Sequence, residues 1–292
     1  NTGTVSWTAS VVSTSADDIV KAIYPSPISG CVIIYESQSF IEGSHIYALA
    51  VDGSGQVQNG WPVILSDLSG DQYYESSALA GSGIFVSFKD NSSGNYDVYG
   101  QHILFAGNLV FGPSGVAIAS STADHENSSV AYNSVADEAL VCYESPSGSE
   151  TDLYCNEINL GNSEVGSQII ISEHNYNQNN PYVYWSGQSF MIVWEDSRNT
   201  ATLNSGVDIY FQEYKDDVFS FPSGGEKITT FIQKQERPII AQYTDDSFVI
   251  IWEDYRSTGK EFCANLYGQS FSTCNGGDLN GDGGFNVLDI VT

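Results

Sequence analysis

The sequence predicts an all-β fold, and two observations carry that prediction. The 292 residues include 18 Tyr, 14 Phe and 28 Gly, whereas only 15% of the residues are charged and one is Met. Aromatic residues favour strands, and Gly favours the tight turns that join them. The second observation is a short segment, too apolar to face water on either side, that recurs along the chain and therefore indicates a repeated buried strand.

The recurring segment is clearest in two copies, SFMIVWEDSR at 189–198 and SFVIIWEDYR at 247–256. Weaker copies are CVIIYES at 31–37, IFVSFKD at 84–90 and ALVCYES at 139–145. Each copy is followed by a second segment of the DIYxQ type. One aromatic residue anchors each copy: Tyr35, Phe88, Tyr143, Trp194 and Trp252. The anchors lie about 50 to 60 residues apart, which indicates a supersecondary unit repeated five times.

Each period contains four predicted strands. The apolar copy is the first of these and the DIYxQ segment the second, while a third strand follows a Gly and a fourth precedes the next copy. Four strands in a period of about 50 residues are typical of a β-propeller blade. We therefore predict a five-bladed β-propeller over residues 1–273, with an array of β-sandwiches as the alternative.

The N-terminal segment is predicted to close the propeller. GTVSWTASVVSTS at 3–15 is similar to GQVQNGWPVILSD at 55–67, which contains the third strand of the first repeat. The fifth repeat lacks this strand, because the chain runs into a Gly-containing spacer. We expect the N-terminal strand to complete the fifth blade, which would leave no exposed sheet edge.

A short second domain is predicted at residues 274–292. DLNGDGGFNVLD at 278–289 has the ligand spacing of an EF-hand loop, with Gly283 at the sharp turn. The predicted Ca²⁺ ligands are Asp278, Asn280, Asp282, the carbonyl of Gly284, Asn286 and Asp289. NVLDIV would then begin an exiting helix. The alternative is an Asp-, Asn- and Gly-rich turn that binds nothing.

Two resemblances follow from these motifs. A calcium loop with an exiting helix but no entering helix resembles one dockerin repeat, and this resemblance implies a cohesin-like partner. Dockerins pair two such repeats, whereas this sequence holds one. The WEDxR and DIYxQ repeats resemble uncharacterised propeller repeats of secreted bacterial proteins, and that resemblance implies an architecture rather than an activity.

The charged residues of the WED-x-R copies are interpreted as structural. They recur in two repeats, whereas an active site is asymmetric and occurs once. Asp196 is expected to cap the turn after its strand, and Arg198 is expected to pair with a neighbouring carboxylate. The same roles are expected of Asp254 and Arg256.

A ring of polar residues is predicted where the innermost strands begin. Its members are Asp18, Glu75, Asn127, Asn179 and Glu236. Such a ring would bind a cation or a sugar, and the alternative is a set of solvated loop ends. Exposed aromatic residues in NYNQNNPYVYW at 175–185 offer a second sugar surface, unless they fill the core.

Charge and cysteine content limit the possible partners and compartment. The net charge is −27 with nine Lys and Arg residues, which disfavours nucleic-acid binding. No apolar run reaches the roughly 18 residues that indicate a membrane span. Cys142 and Cys155 flank a predicted hairpin and are expected to form a disulfide. Cys263 and Cys274 are a second possible pair and Cys31 is left over, so a secreted, oxidising setting is predicted.

These features together predict a secreted or cell-surface, non-catalytic protein that binds or displays a glycan or a protein ligand. One alternative is a glycoside hydrolase of the five-bladed type, which would use carboxylates among Asp18, Glu75 and Glu236. Another alternative is a structural subunit of an extracellular assembly. The sequence leaves the ligand and the oligomeric state open.

Overall fold

The structure is a computed structural model that describes residues 10–12, 14–28, 30–199, 206–229, 231, 233–244, 247–256 and 265–272. These residues form an all-β fold of five sheets, and each sheet is built from strands that follow one another in the chain. The predicted fold class is confirmed at this level. No helix in the described ranges is long and apolar enough to span a membrane.

The first two sheets each contain four strands in chain order. The first comprises β1 (Asp17–Pro25), β2 (Cys31–Ser39), β3 (Gly43–Val51) and β4 (Val63–Ile64). The second comprises β5 (Gln72–Ala80), β6 (Gly83–Asp90), β7 (Asp97–Leu104) and β8 (Val116–Ala119). Neighbouring strands in both sheets are antiparallel.

The third sheet comprises β9 (Glu126–Asn133), β10 (Glu138–Ser147), β11 (Glu150–Asn159) and β12 (Ile169–Ser172). The fourth comprises β13 (Gln178–Trp185), β14 (Phe190–Asp196), β15 (Asp208–Lys215), β16 (Val218–Phe219) and β17 (Glu226–Lys227). The fifth comprises β18 (Gln235–Thr244), β19 (Ser247–Asp254) and β20 (Asn265–Ser272).

The chain divides into two compact units. The first unit contains residues 1–141 and 156–167, and the second contains residues 142–155 and 168–292. The first and second sheets lie in the first unit, and the fourth and fifth sheets lie in the second.

Within each unit, neighbouring sheets share a hydrophobic core. In the first unit, Ile34 and Ile46 of the first sheet cluster with Val86 and Phe88 of the second. In the second unit, Val193, Phe211 and Ile228 of the fourth sheet cluster with Phe248, Ile250 and Trp252 of the fifth. Burial of these side chains stabilises the contact between sheets by removing apolar surface from water.

The repeated apolar segment forms the second strand of every sheet. All seven residues of β14 are buried, as the sequence predicted for a strand covered on both faces. The five anchor residues are also buried, with at most 5% of each exposed: Tyr35, Phe88, Tyr143, Trp194 and Trp252. Three of the anchors stack on the tyrosine of the following strand, in the pairs Tyr35–Tyr47, Phe88–Tyr99 and Trp194–Tyr210.

The predicted disulfide between Cys142 and Cys155 is present. Cys31 forms no disulfide among the described residues, and Cys263 and Cys274 lie outside them. Most of the predicted closing strand also lies outside the described residues, although Val11 and Val12 pack against a buried cluster of the first sheet. The whole of the predicted domain at 274–292 lies outside them as well, including its calcium loop.

Candidate functional site

The aspartates of the two WED-x-R copies, Asp196 and Asp254, hold the turns that follow their own strands. Asp196 accepts hydrogen bonds from Trp194 Nε1 at 3.0 Å and from the backbone N–H of Arg198 at 2.9 Å. Asp254 accepts the equivalent bonds from Trp252 Nε1 at 3.1 Å and from Arg256 N at 2.9 Å. Each Arg also pairs with the same Asp. The structural interpretation of these residues is therefore confirmed.

The glutamate that follows an anchor residue has a different role, which is to join one sheet to the next. Glu36 accepts the backbone N–H of Tyr74 at 2.6 Å. Glu144 accepts that of Asn180 at 2.7 Å, and Glu195 accepts that of Arg237 at 2.8 Å. We call each such contact between a glutamate and the first strand of the following sheet a carboxylate brace. A carboxylate is a strong acceptor, so each brace ties the third residue of a first strand to the preceding sheet.

The second sheet makes its brace with a residue from another strand. Lys89 stands where the other sheets carry glutamate, and it pairs with Glu126 at 2.5 Å. Glu75, on β5, instead accepts the backbone N–H groups of Asn127 at 2.7 Å and Ser128 at 2.8 Å. Burial raises the pKa of Glu75, and these hydrogen bonds oppose the shift.

The structure brings two members of the predicted polar ring into contact, namely Glu75 and Asn127. Asp18 accepts hydrogen bonds from Ser37 Oγ at 2.7 Å and Thr14 Oγ1 at 2.9 Å. These three residues belong to the first unit, and Asn179 and Glu236 belong to the second. Their joint action as a ligand-binding ring stays a prediction.

The second unit contains a cleft of about 400 Å³. Its lining residues are Ser149, Glu150, Tyr176, Asn177, Ser197, Gly206, Val207 and Lys234. The volume lies within the range of about 300 to 1,000 Å³ that is usual for small-molecule sites. The lining combines an aromatic ring with hydroxyl, amide, carboxylate and ammonium groups.

The cleft is assembled where strands of the third, fourth and fifth sheets begin or end. Ser149 and Glu150 lie at the turn from β10 to β11, and Lys234 immediately precedes β18. Backbone hydrogen bonds join the other lining segments: Ser197 N donates to the carbonyl of Asn177 at 2.9 Å, and Gln235 N donates to that of Val207 at 2.7 Å.

A glycine allows the closest approach within this wall. A Cβ atom on Gly206 would lie 2.7 Å from the Cα of Lys234, closer than side chains come to backbone atoms. Lys234 forms an ion pair with Glu236, whose side chain is only 16% exposed. The hydrogen bond that the Lys234 ammonium donates to Glu236 raises the pKa of Lys234, so the cation persists at neutral pH.

Tyr176 gives the cleft its aromatic surface, with 40% of the residue exposed. The residue lies in the segment at 175–185 that the sequence singled out for exposed aromatic residues. Sequence reasoning missed Glu150 and Lys234. The available signal was their asymmetry, because no other repeat carries a glutamate or a lysine at the corresponding position.

No group of three or more His, Cys, Asp or Glu side chains within the described parts of the chain is placed to hold a metal ion. That finding does not bear on the predicted calcium loop, whose residues fall outside those parts.

Solved structures that are similar to this chain include glycoside hydrolases. A thermostable family-43 glycoside hydrolase matches with a TM-score of 0.45 and 8% identity, over 87% of this chain and 88% of that chain. The α-L-arabinanase of Penicillium chrysogenum, complexed with arabinobiose, matches with a TM-score of 0.47 and 9% identity, over 86% and 80%. The family-43 endo-arabinanase of Bacillus licheniformis matches with a TM-score of 0.41 and 9% identity, over 90% and 96%. No family model and no curated protein matches the sequence.

This comparison contradicts the prediction of a non-catalytic binding or display protein, which is corrected here. The matched proteins are hydrolases, in agreement with the alternative prediction. The sequence argument was that the WED-x-R charges recur in two repeats, whereas an active site occurs once. That argument does not extend to carboxylates elsewhere in the chain, and glycosidases use a pair of carboxylates that need not lie in one repeated motif.

Proposed function

We propose that the protein is a secreted glycoside hydrolase whose substrate binds in the cleft of the second unit. We also propose that the five sheets are the blades of a β-propeller. The shared strand order, the cores between neighbouring sheets in each unit and the repeated carboxylate brace support the propeller. The disulfide between Cys142 and Cys155 supports secretion, because such bonds persist in oxidising compartments.

The observation that carries the proposed activity is the lining of the cleft. A sugar ring has an apolar face that stacks on an aromatic side chain, and Tyr176 offers such a side chain. Around that ring, Ser149, Asn177 and Ser197 can exchange hydrogen bonds with sugar hydroxyl groups. The mixture of one apolar platform and several polar groups fits a saccharide better than a purely apolar ligand.

Two carboxylates are available for hydrolysis. Glycoside hydrolysis requires one carboxyl group that protonates the leaving oxygen and a second that acts as base or nucleophile. Glu150 lines the cleft and would donate the proton. Glu236 would be the second group, because its ion pair with Lys234 places a carboxylate beside the cleft.

The proposal is tested by measuring release of reducing sugar from a panel of polysaccharides and nitrophenyl glycosides. We expect Glu150→Gln and Glu236→Gln each to lower kcat by about 100-fold or more, because acid–base groups contribute that much. Glu164→Gln is the matched control, since Glu164 is exposed and lines no part of the cleft. No turnover of any substrate, or turnover that neither cleft variant changes, would overturn the proposal.

Calcium binding at residues 278–289 is a separate proposal, supported by the ligand spacing alone. We propose a cohesin-like partner for this segment on the same ligand spacing, which resembles that of a dockerin repeat.

A further inference from the structure

The strand that leads away from Lys234 begins in an unusual backbone conformation. Arg237, three residues beyond Lys234, has a φ of 53°. Residues with a side chain seldom adopt this left-handed conformation, so the surrounding structure must hold it. The register between β18 and β19 shifts between Glu236 and Ile239, which places a bulge at the same point. The position of Lys234 therefore depends on what stabilises Arg237.

A second lining residue, Asn177, has the same arrangement after it. Asn180, three residues beyond Asn177, has a φ of 52°. It lies on β13, whose register with β14 shifts between Asn179 and Tyr182. Both cleft residues thus precede a first strand whose start is bulged and left-handed.

Glu195 contacts both of these strand starts. Its carboxylate accepts the backbone N–H of Arg237 at 2.8 Å, and it also accepts a hydrogen bond from the Asn180 side chain. The residue is only 6% exposed, so water competes little for these bonds. One buried carboxylate therefore links the strand that follows Asn177 to the strand that follows Lys234.

We propose that Glu195 is a positioning residue of the cleft, which sets the separation of Asn177 and Lys234 and orients the ion pair between Lys234 and Glu236. Its effect on turnover rests on the proposed hydrolase function. Its effect on Lys234 does not, because that effect follows from geometry and charge alone.

Charge gives this role a signature that a purely structural residue lacks. The pKa of Lys234 is raised first by the hydrogen bond that it donates to Glu236, with Tyr255 and Glu195 adding to the shift. The pKa of Glu195 is raised mainly by burial, with Glu236 raising it further and Lys234 opposing. Removing the charge of Glu195 must therefore lower the pH at which Lys234 loses its proton.

Glu36 provides the matched control. It makes the same brace, accepting the backbone N–H of Tyr74 at 2.6 Å, and it is also buried. It belongs to the first unit and lines no part of the cleft. An effect that comes only from weakening a brace will therefore appear in both Glu195→Gln and Glu36→Gln. An effect that comes from positioning the cleft will appear in Glu195→Gln alone.

The experiment compares Glu195→Gln with Glu36→Gln in the full chain. Lys234 is acylated over a range of pH and its modification is followed by mass spectrometry, with the exposed Lys215 as the internal reference. We expect the titration midpoint of Lys234 to move to lower pH in Glu195→Gln and to stay at the wild-type value in Glu36→Gln. Equal midpoints in the two variants would overturn the proposal.

Turnover provides the second readout. We expect kcat/KM to fall by up to about 100-fold in Glu195→Gln, as for a displaced binding group, and to be unchanged in Glu36→Gln. Should no substrate be found, the proposed hydrolase function fails while the Lys234 titration still decides the role of Glu195. Should Glu195→Gln not fold, Asn180→Gly removes one of the two contacts while accommodating the positive φ. An unchanged rate of Lys234 acylation in that variant would then overturn the proposal.

Discussion

The carboxylate of Glu75 accepts a hydrogen bond from the backbone N–H of Asn127 at 2.7 Å. In the second sheet, Lys89 occupies the position at which the other sheets carry a glutamate. Glu36, Glu144 and Glu195 make the corresponding bond from the second strand of their sheets. The carboxylate brace is therefore present in the second sheet as well, but its glutamate lies on the first strand of the sheet instead of the second. An unsatisfied backbone N–H at a sheet boundary is costly, which explains why a substitute acceptor is present.

The Glu75 brace should contribute measurably to stability. We expect Glu75→Ala to lower the free energy of unfolding by about 2 kcal/mol, because it leaves the N–H groups of Asn127 and Ser128 without their acceptor. Glu126→Ala, which removes only the partly exposed ion pair with Lys89, should cost less than about 1 kcal/mol. Urea denaturation of the two variants at neutral pH measures both values. Equal losses would show that the brace adds nothing beyond a surface ion pair.

Stability should also depend on pH through Glu75. Burial raises the pKa of Glu75 above the usual glutamate value of 4.5, so the folded protein holds this proton more tightly than the unfolded chain does. The resulting stabilisation is complete below the unfolded pKa and is lost as the pH rises through the folded pKa. We expect the stability of the wild type relative to Glu75→Gln to fall as the pH increases from about 4.5.

Urea unfolding of the two proteins across that range, at constant ionic strength, tests this dependence. The difference between them cancels most of the self-repulsion that accompanies the net charge of −27. A difference that stays constant or grows with pH would contradict the expected sign.

Arg198 should not tolerate replacement by lysine. Its guanidinium pairs with Asp196, donates to Ser172 Oγ and to the carbonyl of Gly224 at 2.9 Å each, and lies 4.1 Å from the ring centroid of Tyr210. A lysine ammonium cannot reproduce this planar set, and Asp196 is fully buried. We expect Arg198→Lys to cost about 2 to 3 kcal/mol in unfolding free energy.

Arg237→Lys is the control for that measurement. Its side chain is 71% exposed and pairs only with Glu253 among the described residues. We expect its loss of unfolding free energy to be much smaller than that of Arg198→Lys, because an exposed ion pair contributes little. A loss in Arg198→Lys no larger than this would show that the planar contacts of Arg198 are dispensable.

Calcium binding should require the C-terminal loop. We expect the full chain to bind one Ca²⁺ there, and Asp282→Ala to weaken binding by about tenfold or more, because it removes a charged ligand. Calorimetric titration of chelator-treated protein measures the affinity, with Asp216→Ala as a control far from the loop in sequence. Identical affinities in wild type and Asp282→Ala would remove the loop as the site.

Local patterns predicted the elements and the interactions that lie close in sequence. The apolar periodicity around Trp194 and Trp252 predicted buried strands, and the turn between Cys142 and Cys155 predicted the disulfide. The capping role of Asp196 was also predictable, since its partner Arg198 is two residues away. Each of these depends on spacing within one hairpin or one turn, which the sequence displays directly.

The braces and the cleft could not be predicted in this way. Glu36 meets a backbone group 38 residues away, and Glu195 meets one 42 residues away. A backbone N–H is present at every residue except proline, so the sequence does not mark which one donates a hydrogen bond to a distant carboxylate.

By itself, the sequence determined that this protein is all-β, built from five repeats, cross-linked by a disulfide between Cys142 and Cys155, and strongly acidic. Only the tertiary structure decided that Glu195 reaches Arg237, that Glu75 replaces an absent glutamate, and that Glu150, Tyr176 and Lys234 line one cleft. The physical reason is that strand formation follows from local periodicity. A site depends instead on which loop ends the packing of sheets brings together.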